Sequence, residues 1–187
     1  LDNAWGVAEA ISLMREYRNP KISMIFAFTV GEEPSSNFKG MGCRKIVEYL
    51  EKEGIEPIVF VLDVTTYDPK PVVIENVSDK LFPILNKLYR NCATITREPS
   101  ADETVVYKKH FPTLAIGPSS EAKSIAEIHD SAKLSIPISN ILKTHSVLRS
   151  LIENSNSLFD VLEDREEIRK IIDKEEKDEY ILSWMEI

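Results

Sequence analysis

The sequence predicts an α/β domain with a doubly wound, mostly parallel central sheet and helices on both faces. Two continuous apolar runs of strand length point there, 22–29 (ISMIFAFT) and 58–62 (IVFVL). Runs of this kind mark strands buried on both faces of a parallel sheet. A helical period precedes each run, so the chain begins helix, strand, helix, strand. That alternation lays a sheet between two layers of helices.

Taken in order, Ala4, Val7, Ala8, Ile11 and Met14 recur at helical spacing and predict an amphipathic helix over 3–18. Pro20 follows its end, and residues 31–42 read as a loop. Cys43, Ile46, Val47 and Leu50 mark a second helix that Gly54 is placed to end. Further on, 72–77 reads as a strand, 81–89 as a helix with Pro83 in its first turn, and 104–107 as a short strand. The run 113–116 is a clearer strand, closed by Gly117-Pro118, and 119–134 reads as a long loop. A helix over 135–153 has Ser135 as N-cap and Pro137 in its first turn. Another helix is expected over 158–172, then a charge run (173–179) and an apolar tail (180–187). The expected division is a catalytic α/β domain over 1–155 and a C-terminal helix and tail over 156–187.

Composition narrows the function. The chain has 187 residues, enough for one domain with a genuine core, and a net charge of −8. There is no basic stripe of the kind a nucleic-acid surface needs, so no nucleic-acid partner is expected. No run approaches the roughly 20 apolar residues of a membrane span, so no membrane partner is expected either. The two cysteines, Cys43 and Cys92, lack metal or redox spacing and fit a reducing cytoplasm. No secretory signal opens the chain. It starts at Leu1-Asp2 without an initiating Met, which reads as a processed or truncated chain. The tail residues Ile181, Leu182, Trp184 and Ile187 call for a docking place, on their own domain or on a second copy in a homo-oligomer.

Polar residues fall at telling places on this outline. Glu32 and Glu33 follow the first apolar run, Asp63 follows the second, His129 lies in the loop after 113–116, and Asp2 precedes the first helix. In open α/β sheets ligands gather outside the carboxyl ends of the strands. Three of these carboxylates and the imidazole converging there would suit zinc or a similar divalent ion. Taken singly each has an ordinary reading: Asp2 as a cap of the first helix, Asp63 as a cap of the segment that follows it, Glu32-Glu33 as a solvated loop, His129 as an exposed histidine. His145 shares a stripe with Ile138, Ile141, Leu142 and Leu148 and reads as a structural histidine. His110 has no ligand spacing, and Cys43 reads as packing.

The segments Leu1-Asp2-Asn3-Ala4-Trp5-Gly6, Thr29-Val30-Gly31-Glu32-Glu33 and Val61-Leu62-Asp63-Val64-Thr65 resemble the metal-binding motifs of the co-catalytic two-zinc exopeptidases. That superfamily, peptidase clan MH, includes leucyl-type, glutamyl and deblocking aminopeptidases. The resemblance covers residues 1 to about 152 and implies a phosphorylase/hydrolase-like three-layer sandwich. It implies that Asp2 bridges two metals, that Glu33 and His129 join it on one ion, and that Asp63 joins it on the other. Glu32 would be the general base, and a peptide the substrate. The family supplies a further His ligand upstream of the bridging Asp, before the point where this sequence starts. The expectation is therefore that this chain holds one zinc well at most and has little peptidase activity alone. A non-catalytic relative, serving as a binding or assembly module, and an amidohydrolase acting on acylated amino acids are the alternatives.

Overall fold

A computed structural model of the chain describes residues 3–17, 23–29, 41–98, 102–130 and 134–155. The expected segment 156–187, with its helix and tail, lies outside them. The described elements run α1 (Ala4–Glu16), α2 (Met41–Lys52), β1 (Val59–Leu62), β2 (Val72–Glu75), α3 (Leu81–Tyr89), β3 (Ala93–Ile95), α4 (Asp102–Tyr107), β4 (Thr113–Pro118), α5 (Ile125–Ile128) and α6 (Ile138–Glu153).

The sheet has four strands in the order β1-β4-β2-β3. Strands β1 and β4 pair in parallel, with Val61 opposite Ala115, and β2 and β3 pair in parallel around α3. Between these pairs β2 runs antiparallel to β4, with Ile74 opposite Ile116. The fold is α/β, but the sheet is mixed where a mostly parallel, doubly wound one was expected. The connection 63–71 explains the difference. It holds no helix, and a parallel return needs a crossover of a dozen or more residues, usually helical. The chain instead turns past the end of β4 and comes back reversed.

Helices cover both faces of this sheet. On one, Leu13 of α1, Leu81 and Leu85 of α3, and Val147, Leu148 and Leu151 of α6 pack on Val72, Ile74, Leu114 and Ile116, with Phe60 and Leu62 beside them. On the other, Cys43, Val47 and Leu50 of α2 and Val106 and Tyr107 of α4 pack on Val61 and Ala115. The alternation along β1 and β4 sends neighbouring residues to opposite layers. Burying each large apolar side chain stabilises the fold by about 1.5–3 kcal/mol.

Several expectations are corrected. Within 22–29, the described residues 23–29 form no strand. Met24 and Phe26 pack against the first core cluster, while Ile25 and Phe28 are more than half exposed. Apolarity drives burial of surface; it does not by itself pair a backbone. Residues 104–107 are helical, within α4, because packing of buried Val105, Val106 and Tyr107 overrides the strand preference of β-branched residues. Strand β3 and helix α5 were not foreseen. Helix α6 starts at Ile138 with Pro137 as cap, later than expected. Ser135 does not cap it, and its carbonyl accepts from Glu121 N–H. Helix α1 forms where its period predicts, but the expected stripe faces outward: Val7, Ile11 and Met14 are exposed. The buried face carries Trp5, Gly6, Glu9, Ala10 and Leu13.

Candidate functional site

The C-terminal ends of β1 and β4 form a rim built around two glycines. Gly117 lies so close to the backbone of Asp63 that any Cβ there would collide with the Asp63 carbonyl. This close approach carries the β1–β4 pairing on to the bridge between Thr65 and Ser119. Past it, Ser120 Oγ donates to the Thr65 carbonyl at 2.6 Å, and the Ser119 hydroxyl accepts from Asp68 N–H at 2.7 Å. Both serines are buried. Asn140 at the start of α6 donates to the Ser119 carbonyl. The rim is thus held by hydroxyls and backbone groups that the Gly-Pro-Ser-Ser run after a strand signals, and that the sequence reading passed over.

Asp63 is the first residue beyond β1. It is half-buried, and its Oδ1 accepts from Val64 N–H at 2.7 Å. The N-terminus of α1 stands directly beside it. Asn3 caps the helix, its Oδ1 accepting from Gly6 N–H at 2.9 Å, and its amide donates to the Leu62 carbonyl at 2.5 Å. Gly6 is obligatory here, since a Cβ would come within 2.6 Å of that carbonyl oxygen. Trp5, Val64, Ala122, Ile128 and Leu134 form a small apolar cluster that joins α1, the end of β1 and α5. His129 caps the C-terminus of α5, next to Ile128, and is exposed. Trp5 Nε1 is buried and has no hydrogen-bond acceptor among the described residues.

Of the five expected site residues, Asp63 and His129 are described, while Asp2, Glu32 and Glu33 lie outside the described residues. The immediate neighbours of three of them meet at one rim: Asn3 beside Asp2, Val64 beside Asp63, and Ile128 beside His129. Among the described residues no three His, Cys, Asp or Glu side chains are grouped to hold a metal ion. Thr29, the first residue of the Glu32-Glu33 motif, donates its hydroxyl to Glu103 of α4. Glu103 is buried, and that burial raises its pKa above the ordinary value, against the opposing pull of the Thr29 hydrogen bond.

The other candidates are structural. Both ring nitrogens of His145 meet carboxylates, and His110 Nδ1 lies 2.7 Å from Glu51. Cys43 is buried, and desolvation pushes its thiol up to about 11, which disqualifies it as a nucleophile at neutral pH. No helix among the described residues is long and apolar enough to cross a membrane. No family model, no curated protein and no solved structure matches the chain.

Proposed function

We propose that the chain is a metal-dependent exopeptidase related to the co-catalytic zinc exopeptidases, an aminopeptidase that hydrolyses terminal peptide bonds, on an α/β fold whose mixed sheet is covered by helices. One observation carries the reading. The cap of α1, the end of β1 and the end of α5, far apart in sequence, come together through the Asn3–Leu62 hydrogen bond and the Trp5–Val64–Ile128 cluster. These are the segments that hold Asp2, Asp63 and His129. A carboxyl-end rim is where open α/β sheets bind ligands, and Asp63 and His129 are donors of the types zinc accepts.

In this reading Asp2, Glu33 and His129 would hold one ion, and Asp63 would join Asp2 as a donor for a second. A zinc ion bound there would lower the pKa of its water toward about 7 and polarise the peptide carbonyl. Glu32 would serve as the general base toward the attacking water, a contribution of roughly 10²–10⁴-fold, and would return the proton to the leaving amine.

Calorimetric titration of the chain with zinc tests the proposal. Wild type is expected to bind one equivalent tightly and no second. His129→Ala should weaken that binding by at least about 100-fold, the upper range seen for lesser outer-shell changes. Glu32→Gln should leave zinc binding intact and abolish any hydrolysis of an aminoacyl anilide. No zinc uptake by wild type, or uptake untouched by His129→Ala, would overturn the assignment.

A further inference from the structure

A carboxylate on the buried face of α1 needs a partner, and Glu9 is only 5% exposed there. The partner comes from α6. His145 Nδ1 lies 2.8 Å from Glu9 Oε1, and His145 Nε2 lies 3.1 Å from Glu16 Oε1. Glu9 and Glu16 stand two turns apart on one face of α1, and the ring sits between them with one nitrogen toward each. A neutral imidazole donates through one nitrogen and accepts through the other. Its accepting nitrogen would then face a carboxylate oxygen, lone pair against lone pair. The Glu9 contact is a hydrogen bond and the Glu16 contact an ion pair, and both are attractive only when the trio holds one additional proton, on the ring or on the Glu9 carboxyl. Burial favours retention, since it raises the Glu9 pKa above 4.5 against the opposing pull of His145.

We propose that Glu9, His145 and Glu16 form a proton-holding clasp that docks α1 on α6 while the shared proton is kept and loosens α1 when it leaves.

The surroundings suit this role. On α6, Arg149 Nε lies 3.5 Å from Glu16 Oε2, and its guanidinium also reaches Glu153 at 3.6 Å. Tyr17, just past α1, donates to Glu153 at 3.4 Å. Arg149 therefore offsets charge at the outer end, while the Glu9 end is buried. Beneath the two helices the sheet offers apolar side chains, Leu114, Ile116, Phe60 and Leu62. Helix α1 also carries Asn3 and Trp5 against the end of β1, so loosening it reaches the rim. The docked state binds a proton that the undocked state gives up at lower pH. Docking is therefore strongest at the acid end and is lost as pH rises past the range in which an undocked histidine gives up its proton, by up to about tenfold per pH unit for one proton.

Amide hydrogen exchange of α1, followed from about pH 5 to about pH 8 where histidine charge changes, tests it on wild type, Glu9→Gln and Glu16→Gln. A glutamine at either position lets a neutral ring satisfy both partners, so neither variant needs the additional proton. Comparison at equal pH cancels the intrinsic chemistry of exchange. Wild-type α1 amides should open increasingly relative to each variant, by up to about tenfold per pH unit, while α3 amides keep a constant ratio. A ratio for α1 that stays flat across the range, or one that α3 follows, would overturn the proposal. Glu16 is 36% exposed, so its variant keeps the test alive if Glu9→Gln does not fold.

Discussion

Replacing Gly6 by alanine sets two physical effects against each other, and their signs are opposite. Inside a helix, alanine is favoured over glycine by roughly 0.5–1 kcal/mol, so propensity alone expects Gly6→Ala to stabilise. Tertiary geometry expects the reverse. The new Cβ would lie 2.6 Å from the Leu62 carbonyl oxygen and 2.5 Å from Asn3 Oδ1, against an ordinary contact of 3.4 Å or more. Both neighbours are fixed, one as strand backbone and the other as a helix cap already bonded to it. To relieve the contact, the N-terminus of α1 must lift by most of an ångström. That costs about 1–3 kcal/mol of overpacking, and losing the Asn3–Leu62 hydrogen bond adds about 0.5–1.5 kcal/mol. Less the propensity gain, the net is a destabilisation of about 0.5–4 kcal/mol. For a domain of this size it lowers Tm by roughly 2–4 °C per kcal/mol. Urea and thermal melts of Gly6→Ala measure it, with Ala8→Gly on the exposed side of α1 as the propensity control. If Gly6→Ala is as stable as wild type or more so, α1 does not rest on the end of β1. A metal site shared by Asp2 and Asp63 then has no support.

Two further substitutions probe the buried ionisable groups behind the second layer. Glu103 is raised by burial, so its folded form holds a proton longer than its unfolded form, and its share of stability is lost as pH rises through the folded pKa. Glu103→Gln, which keeps an acceptor for Thr29, should be at least as stable as wild type near neutral pH, with the difference closing as pH falls toward 4.5. A loss above about 1 kcal/mol in neutral urea melts would contradict this. Cys43 is shifted from 9.0 to about 11, chiefly by burial and then by the charge of Glu103. Its thiol should resist alkylation in the native protein near neutral pH while half-buried Cys92 reacts. Native stability should also fall between pH 9.0 and about 11, less steeply in Cys43→Ala. Mass-mapped alkylation in which Cys43 reacts as fast as Cys92 would contradict the burial argument.

The elements written in local pattern were legible without coordinates. Helices α1, α2, α3 and α6 and strands β1 and β4 follow from apolar spacing within single segments, because helix and strand periods are properties of a few neighbouring residues. Direction, face and pairing were not. Whether β2 runs with or against β4 depends on how a helix-free connection crosses the sheet. The run 22–29 reads as a buried strand because its composition reports a need for burial and says nothing of a partner.

The face of α1 is the sharpest instance. Its residues hold two interleaved stripes, and the more apolar one, Val7-Ile11-Met14, points outward. The stripe that faces the core contains Glu9, which is tolerable only because His145, far along the chain, meets its carboxylate. Likewise the candidate site could be named from motifs, but Asn3 on Leu62 and Trp5 on Val64 and Ile128 are facts of packing. Local sequence settles which residues repeat along a segment. Only the folded chain decides which of them share a neighbourhood, because burial and hydrogen bonding are satisfied between segments that sequence order keeps apart.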